Sequence, residues 1–118
     1  MAYKFSHLSD AKKYTAPGHS ETVHTMHLQH KNMGSQAPYW VGCSHYLPGA
    51  KADWGANGMH KIYIGMAGEL TVRLQNETLK LRPMDSIWIG PDEARELTND
   101  TNEVATILVV MPYPPASS

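Results

Sequence analysis

The chain has one cysteine, Cys43, so no disulfide can close within it, and that usage suits a reducing compartment. Long apolar runs are also missing. The longest, Val104 to Met111, is eight residues, whereas a membrane-spanning helix needs about 20. Residues 1–10 hold no apolar run of about seven or more, so no signal-peptide pattern opens the sequence. Basic clusters are absent too: 10 Lys and Arg stand against 11 Asp and Glu for a formal net charge of −1. Nucleic-acid binding rests on clustered cations that neutralise phosphates, so no nucleic-acid partner is expected. These absences together predict a cytoplasmic protein without a membrane or nucleic-acid partner.

What is present is ordinary for one globular domain. The 118 residues are 42% hydrophobic and 18% charged, enough to enclose a single core. From about residue 39 the sequence becomes short apolar runs, Tyr39 to Leu47, His60 to Met66, Glu69 to Gln75, Glu77 to Leu81, Ser86 to Ile89 and Val104 to Met111. The breaks between them are rich in Gly, Pro, Asn and Asp, which supply turn geometry. Such a series predicts an all-β sandwich or barrel. The first 38 residues are polar and His-rich and predict an extended arm with one strand over about 21–30. Asp92 to Leu97 is the one stretch that allows a helical turn. The expected organisation is a single domain over 1–118, with the arm at 1–38, the barrel at 39–111 and a Pro/Ser tail at 112–118.

Two segments carry a family likeness. Leu47-Pro48-Gly49-Ala50 followed by Gly58 to Val72, closing on Gly68-Glu69-Leu70-Thr71-Val72, resembles the first sequence motif of cupins. Leu81 to Pro91, with Arg95 and Asn99 beyond, resembles the second, with Met84 where a glycine is usual. The resemblance implies a cupin double-stranded β-helix, a jelly-roll barrel of the small single-domain type. It also implies where a metal would be held: two histidines two apart, a Glu or Gln four further on, and a third histidine in the second motif. Here those positions are Gly55, Asn57, Lys61 and Arg95. None is an ordinary ligand and two are cations, so neither a metal nor another cofactor is expected.

Strand parity then gives facing. With Lys61 pointing inward, Tyr63 and Gly65 follow on the same strand, and Trp40, Gly42, Ser44 and Tyr46 on the preceding one. The expected catalytic residues are Lys61, His60 and Tyr63, and the expected substrate-binding residues are Arg95, Ser44, Tyr46, Asn57 and Trp40, with Trp54 or Trp88 as additions to an aromatic wall. Arg95 is suited to grip a carboxylate, Lys61 or Tyr63 to stabilise an enolate oxygen, and His60, which alternation turns away from the side of Lys61 but which stands at the mouth where the strand begins, to shuttle a proton. His45 and Cys43 are expected to face outward. Alternation puts His24 and His30 on one face and His27 on the other, so these three converge only if the strand carries a bulge. His7 and His19 lie in the polar arm and carry no signal.

The reading is a metal-independent isomerase, dehydratase or other lyase acting on a small anionic carbonyl or carboxylate substrate. A non-catalytic ligand-binding or sensing cupin, and a metal cupin that recruits His45 or His60, are the alternatives. Family habit and the N-terminal strand predict a homodimer.

Overall fold

Ten strands and two short 3-10 turns, Leu8–Asp10 and Lys31–Met33, form the regular structure of residues 2–115, the part of the chain that the computed structural model describes. In chain order they are β1 (Lys12–Tyr14), β2 (Val23–Gln29), β3 (Tyr39–Tyr46), β4 (Lys51–Gly55), β5 (Lys61–Ala67), β6 (Leu70–Leu74), β7 (Thr78–Leu81), β8 (Ser86–Ile89), β9 (Arg95–Thr98) and β10 (Ala105–Pro112). They make two antiparallel sheets, ordered β1-β2-β3-β10-β5-β8 and β4-β9-β6-β7. The result is an all-β jelly-roll barrel. No helix among the described residues is long and apolar enough to cross a membrane. The last three residues of the predicted tail, 116–118, lie outside the described residues.

Side-chain alternation builds the core. Tyr46, Ala105, Ile107, Val109 and Tyr63 point inward from the large sheet and meet Leu70, Val72, Leu97 and Ala52 from the small one. The intervening positions, such as Ile62, Met66 and Trp88, lie on the outer face and are exposed. Packing of the two motifs depends on Gly65. A Cβ there would sit 2.1 Å from the Arg82 carbonyl oxygen, because the 82–85 turn bonds directly to it: Gly65 N–H donates to Asp85 O and Met84 N–H donates to Gly65 O, both at 2.8 Å. In that turn Met84 has φ 70°, the left-handed region that ordinarily favours glycine.

Three expectations about elements change. Asp92 to Leu97 forms no helical turn; its second half is β9, held between β4 and β6, where ladder bonds on both sides satisfy the backbone. The arm contributes two strands rather than one, because β1 pairs with β2 through Lys12↔His27, Lys13↔Met26 and Tyr14↔Thr25. Lys51 to Gly55, which has no apolar run, is nevertheless strand β4, paired to β9 through Ala52↔Leu97 and Gly55↔Arg95.

Candidate functional site

Between the sheets lies a cavity of about 590 Å³, a size suited to a small molecule. Its walls come from β3, β4, β5, β9 and β10, with Tyr14 of β1, His27 of β2 and the segment 15–19 completing the lining. Trp40, Ser44, Tyr46, Asn57, Lys61, Tyr63 and Arg95 all line it, as does Trp54. Their placement follows from parity: Ser44 stands opposite Thr25 and Ile107, and Tyr63 opposite Val109 and Ile87, all on the inner face.

One end of the cavity is cationic. Lys61 is 2% exposed, and its Nζ donates to Asn57 Oδ1 at 3.2 Å. Burial, and then the charge of Arg95, lowers its pKa below that of an ordinary lysine. Arg95 Nε–H donates to the Tyr63 hydroxyl at 3.1 Å, and Nη1–H donates to the Asp53 carbonyl at 3.1 Å. Tyr63 is 3% exposed, and burial raises its pKa against the opposing pull of Arg95. Its hydroxyl oxygen accepts from Arg95, so its own proton is left to donate. Among the described residues neither Lys61 nor Arg95 pairs with a carboxylate. Asp53 also lines the cavity, but its carboxylate pairs with Lys51 at 3.3 Å.

The other end is aromatic and imidazole-rich. His27 stacks on Tyr14 at 4.1 Å between ring centroids and on His30 at 4.0 Å, with Trp40 edge-on at 5.1 Å. All four line the cavity. A β-bulge in β2 between His27 and Gln29 makes this possible, since it shifts the register that would have put His27 and His30 on opposite faces. Gly42, directly opposite His27, leaves room for the indole: a Cβ there would meet Trp40 Cζ3 at 2.8 Å. His24 lies outside this cavity. His19 does line it, from the segment between β1 and β2.

His60 requires a correction. It does not line the cavity; its ring stacks on Trp88, and Trp88 Nε1–H donates to its Nδ1 at 3.0 Å. Lys61 pairs with buried Ile89 while Ile62 pairs with exposed Trp88, so the residue before Lys61 follows the outer face. Trp88 is likewise outside the wall. His45 Nδ1 and Thr106 Oγ1 hydrogen-bond at 2.8 Å, and Cys43 Sγ lies 3.8 Å from His45 Nε2. Neither Cys43 nor His45 lines the cavity, so neither His45 nor His60 is placed to hold a metal there.

The residues that the motif resemblance puts at the cupin metal positions do not fit a divalent ion. Gly55, Asn57, Lys61 and Arg95 all line the cavity, yet glycine offers no side-chain donor, Asn57 Oδ1 is taken by Lys61 Nζ and the Met59 N–H, and the other two are cations. Among the described residues no three His, Cys, Asp or Glu side chains are grouped to hold a metal.

A jelly-roll barrel with a ligand-sized interior cavity is the cupin architecture, and comparisons with known proteins agree. No family profile matches the chain. A curated protein of Mycobacterium tuberculosis, named Beta-D-galactosidase Rv1717, is 34% identical over 113 residues, covering 96% of this chain and 97% of that protein. Among solved structures, the polyketide cyclase RemF from Streptomyces resistomycificus superposes with a TM-score of 0.83 at 18% identity, over 97% of this chain and 82% of that one. A sugar phosphate isomerase of the cupin superfamily from Silicibacter pomeroyi gives 0.72 at 19% identity, over 88% and 70%. The chain has the cupin fold and belongs to the same family as the mycobacterial protein.

Proposed function

We propose that the protein is a metal-independent cupin enzyme that moves a proton on a small anionic carbonyl or carboxylate compound, as an isomerase, dehydratase or other lyase. One observation carries this reading: Lys61 and Arg95 share one cavity with no carboxylate partner among the described residues, and the motif resemblance puts them where cupins place metal ligands. Two uncompensated cations in a partly dry barrel favour an anionic ligand. Arg95 holds the carboxylate, and Lys61 Nζ and the Tyr63 hydroxyl donate to the oxygen on which charge develops. Ser44, Tyr46 and Asn57 supply polar contacts and Trp40 an apolar wall.

Incubation with pyruvate, oxaloacetate, 2-oxoglutarate and glucose 6-phosphate in deuterium oxide tests it. Mass spectrometry is expected to show deuterium entering beside the carbonyl of at least one compound, with Lys61→Met and Arg95→Met at background. Uncatalysed rates throughout would overturn the reading.

Glycoside hydrolysis is the second reading, favoured by the name of the mycobacterial relative. Against it stands the usual need for two carboxylates flanking the bond, because among the described residues Asp53 is the one Asp or Glu lining the cavity. Release of nitrophenol from 4-nitrophenyl β-D-galactoside at equal rates in wild type and the two variants would favour hydrolysis. Exposed Ile62, Met66 and Trp88 on the outer face of β5 and β8 support a homodimer, which light scattering checks.

A further inference from the structure

Three histidines line the cavity, His19, His27 and His30, and their hydrogen bonds separate them as proton acceptors. His30 Nδ1 accepts the Asn32 backbone N–H at 3.1 Å. In the neutral ring its proton therefore sits on Nε2, and no lone pair is left for a substrate. His27 has both faces covered by Tyr14 and His30. Burial first, and the neighbouring His30 second, hold its pKa down at about 4, which makes it a weak base at neutral pH.

His19 has the opposite arrangement. Its Nδ1 lies 3.0 Å from the Pro17 carbonyl oxygen, and a carbonyl can only accept. Nδ1 therefore carries the proton and Nε2 holds the lone pair. The backbone around it is pinned to β4 on both sides: Asp53 N–H donates to Gly18 O at 2.9 Å, Ser20 N–H donates to Lys51 O at 2.8 Å, and His19 itself bridges Ala52. Its ring lies 6.3 Å from that of Tyr46, at the Arg95 end of the cavity.

We propose that His19 Nε2 is the general base of this site, taking the proton from the carbon beside the carbonyl of an oxo acid whose carboxylate Arg95 holds. The inference rests on the proton-transfer reading above. The C–H bond breaks, its electron pair becomes the enolate, and a new N–H bond forms at Nε2. The enolate oxygen accepts from Lys61 Nζ or the Tyr63 hydroxyl. The imidazolium keeps its Nδ1–H on Pro17 O and returns the other proton to carbon, so no further reactant is consumed. The charged and titratable groups around His19 are Arg95, Asp53 and Tyr46. Burial lowers the His19 pKa most, the Pro17 bond raises it, and Arg95 and Asp53 pull in opposite directions for a net lowering. The ring is thus neutral at pH 7, as a base requires.

The test is the deuterium exchange described above, on the compound the wild type exchanges fastest. His19→Gln is expected to slow exchange about a hundredfold or more, and added imidazole to restore part of it in His19→Ala. Nitrogen-15 NMR of wild-type His19 at pH 7 is expected to show a neutral ring protonated at Nδ1. Wild-type exchange that persists undiminished in His19→Gln would overturn this inference and leave the broader reading standing. A wild type that exchanges none of the compounds would overturn both. Should His19→Gln fail to fold, the NMR decides: a charged ring, or one protonated at Nε2, removes His19 as the base.

Discussion

Replacing Lys61 with methionine should make the protein more stable and less able to bind an anion. The ammonium is buried with one hydrogen bond, to Asn57, and no carboxylate partner among the described residues. Exchanging even a paired set of buried charges for apolar side chains of similar volume is often neutral or stabilising by about 1–4 kcal/mol, and an ammonium without a carboxylate partner has less to offset its desolvation. Here the lower half applies, because Lys61 faces a cavity rather than close-packed side chains. With an unfolding entropy of about 2.1 cal/mol/K per residue, 118 residues give about 0.25 kcal/mol/K. A gain of about 1–2 kcal/mol at neutral pH then raises Tm by about 4–8 °C. The pH dependence follows from the lowered pKa. Between the folded pKa and the unfolded value near 10.5, the unfolded chain binds the proton and the folded chain does not, so wild-type stability rises with pH there. Below the folded pKa both states are charged and the full cost is present. The advantage of Lys61→Met should therefore shrink as pH rises from the folded pKa of Lys61 toward its unfolded value near 10.5. Taking the difference between the two proteins cancels Cys43 and the tyrosines, whose raised pKa values act with the opposite sign. Calorimetric melts across that range measure it. A Tm that falls on substitution at pH 7, or a difference independent of pH, would show that the ammonium is satisfied by the scaffold and refute the reasoning.

Arg95→Met should weaken binding of the best exchanging oxo acid by about 2–5 kcal/mol, read by titration calorimetry; unchanged affinity would remove Arg95 from the anion site. Asn99→Ala should destabilise by about 2–4 kcal/mol, because its side chain, 1% exposed, donates to Tyr46 O and Glu103 O and accepts from Thr101 N–H and Oγ1; denaturant midpoints check this. Met84→Gly should stabilise by about 0.5–1 kcal/mol, the relief of a left-handed φ less the added glycine entropy, since Met84 is 82% exposed and loses little packing; a lower midpoint would contradict it.

Much of the barrel was legible because apolar runs and turn residues record strand alternation directly. The Tyr39–Tyr46, Lys61–Ala67 and Ala105–Pro112 strands lie where those runs lie, and counting by twos puts Trp40, Ser44, Tyr46, Lys61 and Tyr63 on one wall. The absence of ordinary metal ligands at Gly55, Asn57, Lys61 and Arg95 was likewise readable from sequence once the motifs were aligned. Other features arise only from contacts distant in the chain. Lys51 to Gly55 is a strand because β9 pairs with it, not because its residues favour one. The bulge after His27 reverses local parity and brings His30 beside it, which regular alternation cannot anticipate. Alternation already turns His60 away from the side of Lys61; what the sequence does not show is that the Trp88 indole holds its ring, so that it does not cap the cavity mouth. His19 carries no sequence signal at all. Its place and its tautomer depend on β4 binding the segment 18–20 and on the Pro17 carbonyl, both decided by tertiary hydrogen bonds that no pattern in the polar arm records.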